Sequence, residues 1–378
     1  MINTANNPAW LEWMTTLMSR RPASAVRFPE AESRKPGAEL SQEGVSRHTY
    51  AATLPPDRFY CLLDELPLHL VPQRVINSLQ LHEDRNQPYL NPLYLNPQCI
   101  VCPAGRLPEE LAMGMHPEVP AGFALQGTIA WVRSPATGNL LPFWLGPQLE
   151  GVVRNLRPNE PAPAPMPEGA QSLLAAADIL LSEDRMSQRL RQHEEMIQKA
   201  SSRFREKGYA PLGDLIHPFH IAALRRYYRY LIRTGAIHLG DGQSPRRYVA
   251  YNEPVARFFH RDIAATLSAV AGEPLKPSYV YMASYLSGAV LKKHTDRAQC
   301  EFSVTLCLDF SPEPALETPW PIRLDTPTST VTVYQALGDG LAYRGTRLPH
   351  YRSALCEGQT STSIFFHYVG EDFAGSLD

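Results

Sequence analysis

Tyr285-Leu286-Ser287-Gly288-Ala289-Val290-Leu291-Lys292-Lys293-His294-Thr295-Asp296-Arg297 is the stretch whose reading decides the fold. It joins an aromatic and β-branched run, Ser278-Tyr279-Val280-Tyr281-Met282-Ala283-Ser284-Tyr285, to a His-x-Asp tripeptide through a glycine that permits a turn. In extended chain, residues i and i+2 project to one face, so His294 and Asp296 can be aimed at a single point. A second imidazole, His350, stands in Leu348-Pro349-His350-Tyr351-Arg352. Two imidazoles and one carboxylate form the facial ligand set that holds non-heme Fe(II) and leaves the opposite coordination face open. His294, Asp296 and His350 are therefore the candidate metal ligands and catalytic residues.

A His-x-Asp tripeptide also arises as two surface polar residues, and the sequence around this one favours the metal reading. Phe302-Ser303-Val304-Thr305-Leu306-Cys307-Leu308 reads as a strand bounded by the breaker cluster Ser311-Pro312-Glu313-Pro314. Further strand-like runs lie at Trp320 to Leu324, Val331 to Tyr334, Leu341 to Tyr343 and Ser363 to Val369. Short strands at close spacing predict a sandwich or jelly-roll barrel.

From about residue 205 to 369 the chain resembles the double-stranded β-helix core of the 2-oxoglutarate and Fe(II)-dependent oxygenases, of the prolyl-hydroxylase-like type. The resemblance is carried by Tyr285, the His294-x-Asp296 pair, Gly338-Asp339-Gly340 with Tyr343-Arg344-Gly345, and His350. The opening Phe204 to Leu212, followed by a helix, matches the way many such domains begin. The resemblance implies a jelly-roll catalytic domain of double-stranded β-helix type with flanking helices; with an N-terminal α+β domain of unknown fold before it, the whole chain reads as α+β. The resemblance also implies Fe(II) on His294, Asp296 and His350, 2-oxoglutarate as cosubstrate oxidised to succinate with dioxygen, and hydroxylation of an amino acid, a peptidyl side chain or a small natural product. Related halogenases replace the carboxylate by a small residue, so Asp296 favours hydroxylation over halogenation. Two alternatives stay open: a non-catalytic jelly-roll binding module, and a cupin-like metalloenzyme using another cosubstrate.

The distal carboxylate of 2-oxoglutarate calls for a cation. Many relatives carry it on the strand after the distal histidine, but here that region reads Thr360-Ser361-Thr362-Ser363. Arg352, i+2 from His350, is the first candidate, set against a surface arginine at a strand end. Tyr285, Ser363 and Ser361 are neutral candidates, with Arg323 and Arg297 in reserve. His367 reads as a satisfied histidine or as a neighbour of the site. Tyr281 and Tyr343 read as pocket lining or simple strand packing.

The chain has 378 residues, a net charge of −2, 44% hydrophobic and 20% charged residues, which fits an ordinary globular protein and demands no polyanionic partner. The basic aromatic run from Arg225 to Arg233 has Leu224, Tyr228 and Leu231 at helical spacing and reads as a helix with a solvated basic face, so no nucleic-acid groove is expected. No secretory or membrane-spanning run is evident, and the six cysteines read as free thiols in a cytoplasmic protein. Cys99-Ile100-Val101-Cys102 has no second pair and reads as structural.

Alternating prolines from Arg157 to Pro167 mark a linker across residues 157–170, which separates residues 1–156 from the oxygenase-like residues 171–378 as two folding units. Gln171 to Lys207 reads as helix. In the first part, Trp10 to Met18 has a helical period, Val26 to Gly44 reads as a loop, and Arg58 to Leu66 and Val71 to Leu81 read as helical or mixed. Ala124 to Arg133 and Leu140 to Leu145 read as a strand pair. This part carries no ligand constellation and reads as a docking or substrate-presenting scaffold, open to a protein partner.

Overall fold

A computed structural model describes residues 50–72, 92–112, 116–134, 137–163, 166–167 and 169–378. The expectations for Trp10 to Met18, for Val26 to Gly44 and for most of Val71 to Leu81 lie outside the described residues. Its strands, in chain order, are β1 Tyr94–Leu95, β2 Cys99–Cys102, β3 Thr128–Arg133, β4 Leu140–Leu145, β5 Leu180–Leu181, β6 Tyr209–Leu212, β7 His238–Leu239 and β8 Arg247–Tyr251. They continue with β9 Leu275–Tyr285, β10 Leu291–His294, β11 Phe302–Ser311, β12 Ile322–Asp325, β13 Thr330–Val333, β14 Gly340–Tyr343, β15 His350–Arg352 and β16 Thr360–Gly370.

Two antiparallel sheets make the roll. The larger runs β6-β14-β11-β16-β9-β8-β7 and the smaller β10-β15-β12-β13. Period-two alternation explains how the large sheet is buried on both faces. On β9, Val280 and Met282 join the main apolar core, while Ala283 and Tyr285 belong to an inner cluster with Cys307, Trp320 and Phe365. β16 divides in the same way, with Ile364, Phe366 and Tyr368 on the core side and Phe365 on the inner side. Every strand run expected from Ser278 to Val369 is present, with shifts of a few residues at the ends.

Two helices cover the core side. Helix Pro254–Ala271 starts where proline occupies the first turn and the Glu253 carboxylate accepts the amides of Val255 and Ala256 at 3.1 and 3.0 Å. It stops at Gly272, whose φ of 79° a glycine adopts without strain. Helix Pro218–Arg233 begins in the same manner, His217 Nδ1 accepting the Phe219 amide at 3.2 Å.

The second helix corrects the expectation of a solvated basic face. Arg225 is fully buried, its Nε donating to Asp309 Oδ1 at 3.0 Å and its Nη2 to Glu313 Oε2 at 2.6 Å. Arg229 also grips Asp309, and Arg226 lies 3.5 Å from the centre of the Tyr60 ring. The apolar spacing was read correctly, but distant acids occupy the charges, and a one-dimensional pattern does not show them.

The stretch expected as one helix from Gln171 to Lys207 is broken. Helix Ala170–Ala176 ends before Asp178, which takes a φ of 58°, and Leu180–Leu181 pairs with Tyr94–Leu95 before helix Glu183–Lys207 begins. Burial of the Leu180 side chain in the core outweighs the helical preference of the stretch. The long helix then packs along the roll, with Phe204 stacked 6.1 Å from Phe302.

Residues before the proline-rich segment form a sheet β2-β3-β4 that packs directly on the covering helices. Phe59 has edge contacts with Phe123, Trp144, Tyr227 and Phe259, at centroid distances of 5.2, 6.1, 6.1 and 5.9 Å. Phe143 stacks 4.6 Å from His220, whose Nε2 donates to the Pro142 carbonyl at 2.8 Å. The proline-rich stretch thus links two regions that share one apolar core, where the sequence suggested two folding units. Among the described residues, no helix is long and apolar enough to cross a membrane.

Candidate metal centre

The three ligand candidates converge at the open end of the roll. β10 ends on His294, which pairs with His350 at the start of β15, so the two imidazoles come from adjacent strands with ring centres 4.4 Å apart. Asp296 follows two residues on, tied by its amide to the Gly345 carbonyl at 2.9 Å. Its Oδ1 lies 3.6 Å from His294 Nε2 and 3.4 Å from His350 Nε2.

The other ring nitrogens settle the tautomers. His294 Nδ1 meets the Lys292 carbonyl at 2.7 Å and His350 Nδ1 meets the Leu348 carbonyl at 3.0 Å. A carbonyl only accepts, so each Nδ1 carries the hydrogen, and a ring without a second proton turns its Nε2 lone pair inward. Two lone pairs and a carboxylate oxygen then face one point, an arrangement that repels itself unless a cation or a proton sits among them. The donor set therefore fits a divalent metal such as Fe(II).

Asp296 is held from behind. Ser303 Oγ donates to its Oδ2 at 3.0 Å and accepts from His367 Nδ1 at 2.9 Å. Burial alone would raise the Asp296 pKa, but a proton shared with His350 and the Ser303 hydrogen bond outweigh it and keep the carboxyl below its ordinary value. Burial lowers His367 to about 4, so that ring is neutral, and its Nδ1–H is the donor to Ser303. His367 is thus a support for the Asp296 carboxylate. Asp296, Cys300 and His367 also approach one another within 4.8 Å. Cys300 is held as a thiol, pushed by burial and then by Asp296 up to about 12, and its Sγ is 3.0 Å from the Tyr279 hydroxyl. That second group is less suited to a metal than the first.

A cavity of about 750 Å³ opens on the triad. Its wall includes Tyr281, Tyr285, Tyr343, Phe365 and His367, together with Tyr251, Tyr279, Arg247, Lys292 and Arg297. Tyr281 and Tyr343 are therefore lining as well as packing. Arg247 is already neutralised by Asp241 and also donates to Tyr285 Oη at 3.2 Å. Burial opposes the ionisation of Asp241, yet hydrogen bonds from Arg247, Tyr281 and Ser244 bring it down to about 2.

Tyr285 lines the cavity, whereas Arg352 and Ser363 are buried without forming its wall. Arg352 shares the inward side of β15 with His350, as the i+2 spacing required. Its guanidinium donates to the Trp320 carbonyl and to Gln335 Oε1, the latter at 3.2 Å, and lies 4.8 Å from the Trp320 ring centre. All these partners are neutral. Burial lowers its pKa, with Cys307, Tyr285 and Tyr343 opposing, and no carboxylate contributes. Ser363 pairs with Ala283 and Cys307, both in the inner cluster. Arg323 points elsewhere, its Nη1 donating to Ser353 Oγ at 2.7 Å.

Sequence reasoning missed Ser303, the Asp241–Arg247 pair, and Tyr279 with Arg297 as a pair. Ser303 had a legible signal, because Ser303, Thr305 and Cys307 alternate with Phe302, Val304 and Leu306 along β11. Asp241 and Arg247 lie at the connection between β7 and β8 and had none. The Cys99–Cys102 pair lies on β2 as free thiols, with burial raising both above the ordinary thiol range.

No family model matches the chain, and no curated protein matches its sequence. Solved structures resemble part of it. The epimerase SnoN, solved with Fe3+, alpha ketoglutarate and nogalamycin RO, is 14% identical, with 46% of this chain and 83% of that one covered at a TM-score of 0.39. A prolyl-4-hydroxylase from Pseudomonas putida is 14% identical over 46% of this chain and 100% of its own, at a TM-score of 0.37. A prolyl hydroxylase from Trichoplax adhaerens, in complex with a hypoxia inducible factor peptide fragment, is 11% identical over 48% and 92%, at 0.40. A further similar structure, from Burkholderia pseudomallei, is described as an oxidoreductase of the 2OG-Fe(II) oxygenase family and is 12% identical over 48% of this chain and 92% of its own, at a TM-score of 0.38. The functional reading below rests on the side chains.

Proposed function

We propose that this chain is an Fe(II)- and 2-oxoglutarate-dependent oxygenase that hydroxylates an amino acid, a peptidyl side chain or a small natural product. The observation that carries the reading is the approach of two imidazole Nε2 atoms to Oδ1 of Asp296, each ring fixed by a backbone carbonyl at its other nitrogen.

His294, Asp296 and His350 hold the metal in this reading. When bound, iron with 2-oxoglutarate supplies the oxidation, in which dioxygen is consumed and succinate and carbon dioxide leave. The chain's own groups orient and exclude. Ser303 and the neutral His367 keep the Asp296 carboxylate turned toward the histidines, and the backbone carbonyls keep both rings in the ligating tautomer. Tyr285, Tyr343 and Phe365 wall the inner end of the cavity against water. Arg352, a buried guanidinium with only neutral partners behind the cavity wall, is the candidate for the distal carboxylate of the cosubstrate and meets it only if that end of the molecule reaches past the wall. Tyr285 and Ser363 assist by hydrogen bonding. The carboxylate at position 296 favours oxygen insertion over halogenation.

Succinate release from 2-oxoglutarate under air, in the presence of a small-molecule extract, tests this reading. Turnover in the wild type that Asp296→Ala abolishes is expected. Equal succinate from the variant, or none from the wild type with any extract, counts against it.

A further inference from the structure

The mouth of the cavity carries a cation that the proposed chemistry does not use. Arg297 lines the cavity on its exposed side. Its Nε donates to Tyr279 Oη and its Nη2 to Tyr251 Oη, both at 3.2 Å, and its guanidinium lies 4.4 Å from the Tyr279 ring centre. The two tyrosine rings stack 5.0 Å apart, so the guanidinium is braced by paired phenols. A guanidinium has five N–H donors; the two phenols and the Cys300 thiol, which also meets it, use three, which leaves two for a bidentate partner.

No acid meets this guanidinium among the described residues. Asp378 hydrogen-bonds Asn252 at 3.0 Å and lies near Gln299, yet makes no ion pair with Arg297. Asp241, the other acid in the wall apart from Asp296, is spent on Arg247 and Tyr281. Lys292, also in the wall and exposed, has no acid partner either. The mouth is thus positive and flanked by aromatic surface, and a cavity of about 750 Å³ has room for a second molecule beside a five-carbon cosubstrate.

We infer that the substrate is a small molecule bearing an oxyanion, a carboxylate or a phosphate, which Arg297 grips bidentately between the Tyr251 and Tyr279 hydroxyls while Lys292 adds charge. This inference rests on the oxygenase reading for what happens to the substrate, but the anion grip itself needs neither metal nor cosubstrate. A braced guanidinium at the mouth holds the anionic end outside and points the remainder of the molecule at the metal ligands, with the stacked tyrosines covering its apolar part. Neutral and cationic analogues lose the paired hydrogen bonds and leave the arginine uncompensated.

Calorimetric binding of three probes to the full chain tests this: 3-phenylpropionate, its primary amide, and inorganic phosphate. The acid is expected to bind at least about tenfold more tightly than the amide, and Arg297→Gln to remove that preference and weaken phosphate by a similar factor. Arg297 is exposed, and an unchanged melting temperature of the variant confirms its fold. Equal binding of acid and amide, no probe binding below about 10 mM, or a preference that survives Arg297→Gln overturns the inference. So does a rise in the 2-oxoglutarate requirement of Arg297→Gln, which would make the arginine a cosubstrate partner. The visible band of the wild type with Fe(II) and 2-oxoglutarate, recorded alongside, separates this failure from failure of the oxygenase reading, since an absent band counts against that reading and leaves the anion result standing.

Discussion

Gly345 leaves the Asp296 carboxylate its place: a Cβ at position 345 would run into Asp296 Oδ2 and the Cys300 carbonyl, and would come within 2.7 Å of Ser303 Oγ. The glycine is fixed there because its carbonyl accepts the Asp296 amide and its own amide donates to the Glu301 carbonyl at 3.1 Å. Gly345→Ala should therefore push the carboxylate off the point where the two Nε2 atoms meet, and Ser303→Ala should loosen it. Each is expected to weaken Fe(II) or Co(II) affinity by about 10–100-fold, measured by calorimetry. Unchanged affinity in Gly345→Ala would show that the carboxylate does not need this position.

Arg352 separates a cosubstrate role from a packing role. Arg352→Met keeps the bulk in the inner cluster and removes the charge. The 2-oxoglutarate requirement is expected to rise by about 100-fold with a smaller change in maximal rate. A variant that melts earlier but keeps its 2-oxoglutarate requirement would leave Arg352 as packing against Trp320.

Two buried histidines away from the centre set an acid limit on stability. Burial brings His220 to about 4 and His260 to about 3, against opposing hydrogen bonds to the Pro142 and His367 carbonyls. In the unfolded chain both take a proton near pH 6.5, so below that pH the unfolded state binds more protons and stability falls as pH falls. Their contribution is complete above about pH 7 and is lost downward from about 6.5 at up to ~1.4 kcal/mol per unit for each ring. Thermal melts between pH 7 and 5 should show a steadily falling Tm. A flat Tm across that range would contradict the neutral buried state.

Phe59 tests whether the two sides of the proline-rich segment unfold together. Its contacts to Tyr227 and Phe259 cross from the first region to the helices over the roll. Phe59→Ala should cost about 3–5 kcal/mol and lower the stability of the whole chain in one transition, read by melts probed in the near and far ultraviolet. A melt in which only part of the signal shifts would instead support two independent units.

Legibility in the sequence followed distance along the chain. Strands β9, β11 and β16 were readable because alternation is a local property, and two of the three ligand candidates sat within one tripeptide. The inward turn of Arg352 followed from its spacing to His350. The basic face of Pro218–Arg233 was misread because Asp309 and Glu313, which cover it, lie on the far side of the sequence. The Tyr251–Tyr279–Arg297 brace was hidden for the same reason, while Asp241 and Arg247, only six residues apart, stand at a turn with no periodic pattern to mark them. The common core was hidden as well, since only the fold brings Phe59 against Phe259.

The most direct test of the central claim is an anaerobic titration of the full chain with Fe(II) in the presence of 2-oxoglutarate, followed by visible absorption. The wild type should bind one iron per chain and develop a weak band that requires 2-oxoglutarate, and His350→Ala should lose both. An absent band in the wild type, or the same stoichiometry and band in His350→Ala, would contradict a centre built from His294, Asp296 and His350.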